Sequence, residues 1–253
     1  TGAVQGVGGT RNCDWWFTND AVLIDTAGRY TTQDSHKVVD GSAWEGFLKL
    51  LKRNRPRRPI NGALVAISLQ DLLLQSDEER SQLARNIRTR LDELMDKLEI
   101  RFPVYVIFTK SDLVQGFSEF FEDLTKDDRE QVWGISLPNA AKSHESPDFS
   151  YIKQHLHQLS SRLNERVLWR MHQERDPQRC AAIESFPLQM DNAFKIVESF
   201  VVKAFSQNRF HYQPYLRGVY FSSGTQDGTP IDRLMGSVSA NFGFSREAQH
   251  RSA

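Results

Sequence analysis

Two almost continuously apolar runs, Ala63 to Ser68 and Val104 to Thr109, flank a long stretch whose apolar residues recur at helical spacing. Leu83, Ile87, Leu91, Leu94 and Leu98 line one face of that stretch, and Ser76 with Glu79 three residues later forms a capping box at its start. Strands that are apolar on both faces are fully buried, and a helix joining two of them marks a parallel sheet with crossover helices. A shorter pair precedes them. Cys13 to Thr18 and Ala21 to Asp25 flank Asn19-Asp20, a two-residue turn signal that predicts an antiparallel hairpin. A weaker strand pattern covers Val132 to Ser136.

A polar stretch from Asn139 to Ser150 containing two prolines reads as a boundary, giving an α/β part over 1–145 and a helical extension over 146–253. Ile152, Leu156, Leu159, Leu163 and Val167 form one helical stripe. Met190, Ala193, Val197, Phe200 and Ala204 form another, with Pro187 near its start. Leu216 to Ser222 reads as a late strand returning to the sheet edge, and the polar tail 245–253 as disordered.

Charge excludes some partners. Lysine plus arginine and aspartate plus glutamate each total 32, so no global field draws the chain to nucleic acid or to anionic membrane. The densest local charge is the run Lys52, Arg53, Arg55, Arg57 and Arg58, interrupted by Pro56 and Pro59. It reads either as a solvated connection from helix to strand or as a docking patch for a phosphate-bearing lipid head group or an acidic protein. Cys13 and Cys180 are too few for a disulfide framework or metal cluster and read as buried thiols of a reducing compartment. His155 and His157 lie two apart on a helix and so point to different faces. No apolar stretch approaches the roughly 20 residues of a membrane-spanning helix. The opening, Thr1 to Gly9, has no initiator methionine and reads as the interior of a longer chain.

Two short motifs carry possible chemistry. Asp25-Thr26-Ala27-Gly28 closes the second hairpin strand, where a nucleotide switch places a magnesium-holding aspartate and a glycine amide for the terminal phosphate. Strand-ending Asp-x-x-Gly is also an ordinary turn. Thr109-Lys110-Ser111-Asp112 follows a buried strand two strands later. Asp112 there is placed to accept hydrogen bonds from a guanine edge while the Lys110 stem lies along the ring. The order of the two motifs makes the expected fold class P-loop-NTPase-like, a mainly parallel sheet with an antiparallel hairpin. Thr10, in Gly8-Gly9-Thr10-Arg11, is a candidate magnesium ligand, although a glycine hinge with an incidental threonine reads equally well. Arg29 stands where small GTPases carry a water-orienting glutamine; it can stabilise phosphoryl charge but cannot act as a base near neutral pH. Trp15-Trp16-Phe17 is expected to be buried beside this switch.

The sequence contains no Gly-x-x-x-x-Gly-Lys-Ser/Thr, the loop whose amides and lysine supply most of the grip on phosphate. As written, the chain is expected to bind nucleoside triphosphate weakly or not at all.

Three long strings resemble a known family: Gly-Gly-Thr-Arg-Asn-Cys-Asp-Trp-Trp-Phe from Gly8, Leu-Ile-Asp-Thr-Ala-Gly-Arg-Tyr-Thr-Thr-Gln-Asp from Leu23, and Leu-Arg-Gly-Val-Tyr-Phe-Ser-Ser-Gly-Thr-Gln from Leu216. They are similar to the cytoplasmic region of the IcmF/TssM family, inner-membrane components of bacterial type VI secretion systems, and the likeness spans nearly the whole chain. The resemblance implies a scaffold at the cytoplasmic face of the inner membrane. Its implied partners are the membrane protein TssL, the baseplate through TssK and, through a periplasmic region, the lipoprotein TssJ. It also implies a competing role, a switch driven by Mg-ATP or Mg-GTP, where a phosphate loop lies upstream. The scaffold reading requires no cofactor in this chain.

Overall fold

We describe the chain from a computed structural model over residues 13–26, 37–138, 149–206 and 213–223. Thr10, Gly28 and Arg29 lie outside the described residues, as do 139–148 of the expected boundary and the tail 245–253.

Strands β1 (Asp14–Phe17) and β2 (Val22–Asp25) form the expected antiparallel hairpin, with Trp15 opposite Ile24 and Phe17 opposite Val22. Thr18 secures the turn: its hydroxyl donates to the Ala21 carbonyl and accepts from the Ala21 amide. The hairpin is a sheet of its own. The other four strands, β3 (Ala63–Ser68), β4 (Pro103–Thr109), β5 (Trp133–Ser136) and β6 (Tyr215–Phe221), form a second sheet in the order β3-β4-β6-β5. β4 runs parallel to β3 and β6, and β5 runs antiparallel to β6. The fold is therefore α/β with a mixed, mostly parallel sheet. The late strand sits inside the sheet rather than at its edge, because the short β5, closed by the antiparallel ladder, takes the outer place.

The helices are α1 (Lys37–Asn54), α2 (Leu69–Leu74), α3 (Asp77–Leu98), α4 (Phe117–Phe121), α5 (Lys126–Arg129), α6 (Phe149–Gln173) and α7 (Pro177–Phe205). The Ser76–Glu79 capping box opens α3 as expected, and Ala84, Ile87, Leu91, Met95 and Leu98 are its buried stripe. The starting point of α7 differs from expectation. Asp176 caps it, accepting from the Gln178 amide at 2.8 Å, and Pro177 occupies the first turn, where a missing N–H costs nothing. Pro187 therefore lies inside the helix. Its absent amide forgoes one helical hydrogen bond, which the fully buried Ile183, Phe186 and Met190 around it offset.

The long helices gather on one side of the sheet: α1 packs on α3, α3 on α7, and α7 on α4 and α6. One apolar core draws on both sides of residue 145, joining Val104, Val106 and Phe108 of β4 and Val219 and Phe221 of β6 to Phe186, Phe194 and Phe200 of α7. Rings interlock there, with Phe120 and Phe186 centroids 4.9 Å apart and Trp133 and Phe221 centroids 5.2 Å apart.

Two buried arginines tie the layers together. Arg88 binds both carboxylate oxygens of Asp92 and donates to the Ser206 carbonyl at 2.6 Å, fixing the end of α7 to α3. Arg170 of α6 donates to the carbonyls of Glu119 and Phe120 at the end of α4. Where α6 turns into α7, the Arg179 guanidinium and then the Asp176 and Arg175 amides hold the Glu174 carboxyl at about 2, from an ordinary 4.5. A depressed carboxyl stabilises the fold above its unfolded value and loses that contribution as pH falls toward about 2. Carboxyl-carbon NMR titration is expected to place Glu174 in that range, and Glu174→Gln to remove this part of the acid sensitivity.

Candidate functional site

The parallel strands β3, β4 and β6 share one C-terminal end, the place where open α/β sheets bind ligands. Thr109, Lys110 and Asp112 sit there. Backbone bonds from a distant segment fix the turn: the Ser111 amide donates to the Ser222 carbonyl at 3.1 Å, and the Ser222 amide donates to the Phe108 carbonyl at 2.8 Å. The buried Ser111 hydroxyl adds a bond to the Phe108 carbonyl, and the Thr109 hydroxyl reaches the Ile67 carbonyl on β3. Lys110 adopts a left-handed conformation at φ 58° before the 3-10 turn Ser111–Leu113, a strained choice for a residue with a side chain. Asp112 Oδ1 is buried and has no hydrogen-bond partner among the described residues. An unmet buried carboxylate oxygen is costly, and this atom retains the capacity to accept a hydrogen bond.

Asp25 ends β2 on the separate hairpin, so no ladder fixes it relative to Lys110 and Asp112. Among the described residues, no group of three or more His, Cys, Asp or Glu is placed to hold a metal. His155 instead stacks on Tyr151 at 3.8 Å and its Nδ1 lies 2.9 Å from the Tyr151 carbonyl.

The Trp15-Trp16-Phe17 cluster is not the buried anchor expected. These residues are 49%, 48% and 76% exposed, and among the described residues the hairpin pairs with no strand of the main sheet. Cys13 and Cys180 are half-buried thiols outside any disulfide rather than buried ones. The basic run ends α1 and continues into the loop before β3, with Arg53, Arg55, Arg57 and Arg58 exposed.

A further surface escaped the sequence reading. β3 and β4 are apolar throughout and were expected to be buried on both sides, yet among the described residues the helices pack on one side of the sheet. Leu64 is 57% exposed, Ala66 is exposed, and Tyr105, Ile107 and Tyr220 are only partly covered. The register puts these residues on one face: Leu64 is beside Tyr105, Ala66 beside Ile107, and Ile107 beside Tyr220. Tyr105 and Tyr220 stack there at 6.4 Å. Continuous apolarity was the signal, since a strand with one wet face has no need of it.

Residues 37–253 match the IcmF-related N-terminal domain family. The chain belongs to that family. It is also 51% identical, over 247 residues and 97% of its length, to a Pseudomonas aeruginosa protein named type VI secretion system component TssM1. It spans 22% of that relative's length. No solved structure matches it. The type VI secretion terms read from the three strings thus hold, and they were carried by whole segments rather than by the two short motifs. Among the described residues, no helix is long and apolar enough to cross a membrane.

Proposed function

We propose that this chain is the docking body of a type VI secretion membrane complex, at the cytoplasmic face of the bacterial inner membrane, joining that complex to TssL and, through TssK, to the baseplate. TssJ would be met by a periplasmic part of the parent protein. The observation that carries this reading is the open sheet face of Leu64, Ala66, Tyr105, Ile107 and Tyr220. Parallel sheets are covered on both faces, so an apolar face left open is a surface prepared for another body. Leu64→Lys places a charge on the β3 edge of this face without touching the helical core. It is expected to weaken capture of the TssL cytoplasmic domain or TssK at least tenfold in a titration, with little change in melting temperature. Asp25→Ala is expected to leave capture intact. Loss of capture by a folded Asp25→Ala protein, or full capture by Leu64→Lys, would overturn the assignment.

A second reading, a P-loop-NTPase-like switch using Mg-ATP or Mg-GTP, is favoured by one atom, the unpartnered Asp112 Oδ1. The base-facing half of such a site fits the residues present: Asp112 would accept from a purine edge and Lys110 would cover the ring. The phosphate-facing half does not fit, because the sequence has no phosphate loop. A bound nucleoside triphosphate would be accompanied by a magnesium ion, for which Asp25 and Thr10 are the candidate ligands. Calorimetry with GTP and ATP, on this chain and on a form extended upstream, separates the readings. Heat from the extended form that Asp112→Ala removes would establish the nucleotide binding that the switch requires, and no heat would end it.

A further inference from the structure

The pole opposite Lys110 and Asp112 carries a different chemistry. β3, β4 and β6 all begin there, and α1 and α3 end there, so the loop before β3, Arg101 before β4 and Gln213 before β6 come together. Arg101 donates to the Gln213 carbonyl at 3.3 Å across this pole. Between Glu45 and Asp71 the chain holds no acidic residue but carries Lys49, Lys52, Arg53, Arg55, Arg57 and Arg58. In a chain of zero net charge this is a strong local excess.

Little of that charge is neutralised. Lys49 pairs with Glu45 at 3.3 Å and Lys52 with Glu99 at 2.7 Å, while Arg55 donates to the neutral Asn61 side chain. Among the described residues, Arg53, Arg57 and Arg58 have no carboxylate within ion-pair distance. Pro56 and the buried Pro59 hold the loop that presents them, and Leu50, 58% exposed, stands three residues before Arg53 on the same face of α1.

We propose that this basic pole is a contact for an anionic phospholipid surface, with the four exposed arginines at the head-group level and Leu50 at the acyl boundary. The form of the patch selects this partner. No aromatic residue lies between Leu48 and Gly62, so a nucleic acid would find no stacking platform. The exposed Arg53, Arg55, Arg57 and Arg58 are clustered within six residues beside the exposed apolar Leu50, the combination of cations and an apolar side chain that an anionic lipid surface takes up. The pole is distinct from the open sheet face, so this contact goes beyond the docking function and can fail without it.

The test is flotation of the 253-residue chain with vesicles of phosphatidylcholine alone or with about one-third phosphatidylglycerol. Binding is expected only with phosphatidylglycerol and is expected to disappear in high salt, where exposed charges are screened. Each cation near such a surface contributes about 1 kcal/mol, so substituting all four arginines, R53Q/R55Q/R57Q/R58Q, is expected to lower partitioning by at least roughly 100-fold. The matching arginine-to-lysine variant keeps the charge and is expected to bind as the parent does, which separates lost charge from lost folding. Thermal melts of both variants complete the control. Absence of binding to phosphatidylglycerol, equal binding to neutral vesicles, retention by the glutamine variant, or loss in a folded lysine variant would each overturn the proposal.

Discussion

Gly116→Ala is expected to destabilise the protein by about 3 kcal/mol, which for a chain of this size lowers the melting temperature by about 10 °C. Gly116 caps α4 in the left-handed region at φ 85°, a conformation that costs a residue with a Cβ about 1 kcal/mol. The same Cβ would lie 2.3 Å from the Ala182 carbonyl oxygen and 2.9 Å from the Phe186 Cβ on α7. Neither is the movable end of a flexible side chain, so α4 and α7 would have to part, opening the ring cluster of Phe117, Phe120 and Phe186. Gly46→Ala is the control. Gly46 is exposed on α1 with nothing within 4 Å of an added Cβ, so that substitution is expected to stabilise by about 0.5–1 kcal/mol. Thermal unfolding of the two variants should shift in opposite directions, and equal shifts would show that the approach of α4 to α7 is not what holds Gly116.

Arg170→Ala is expected to cost about 3–5 kcal/mol, read as a lower denaturant midpoint at unchanged slope. The guanidinium is nearly buried and satisfies the Phe120 carbonyl at 3.1 Å and the Glu119 carbonyl at 2.6 Å, with Asp123 Oδ1 3.4 Å from its Nε. Removing it strands two helix-end carbonyls away from water and leaves Asp123 with Arg166 alone. Arg166 is more exposed and its Nη2 meets Asp123 at 2.5 Å. Its replacement by alanine is expected to cost below about 1 kcal/mol. A difference of several-fold between two arginines on the same aspartate would locate the energy in the buried carbonyls rather than in the ion pair.

Much of the architecture was legible in the sequence where a short segment decides its own conformation. The Asn19-Asp20 turn set the hairpin, the Ser76–Glu79 box set the start of α3, and unbroken apolarity marked β3 and β4. The readings that differed were those depending on a partner distant in the chain. Pro187 resembles a helix start until Asp176-Pro177 is seen to cap the same helix earlier. Leu216 to Ser222 resembles an edge strand until β5 is placed outside it. The candidate site divides in the same way. Thr109 to Asp112 could be recognised by type, but Ser222, which holds the turn through two backbone bonds, could not be assigned to it from spacing.

The sequence by itself determined the strand and helix patterns and the family, because periodicity, caps and long strings are local properties of the chain. Tertiary structure alone decided that the hairpin stands apart from the main sheet, that its tryptophans are exposed, that the helices cover one face and leave Leu64 and Tyr105 open, and that the basic run lies at the pole opposite Asp112. Those are consequences of which surfaces meet, and burial belongs to a pair of surfaces rather than to either sequence.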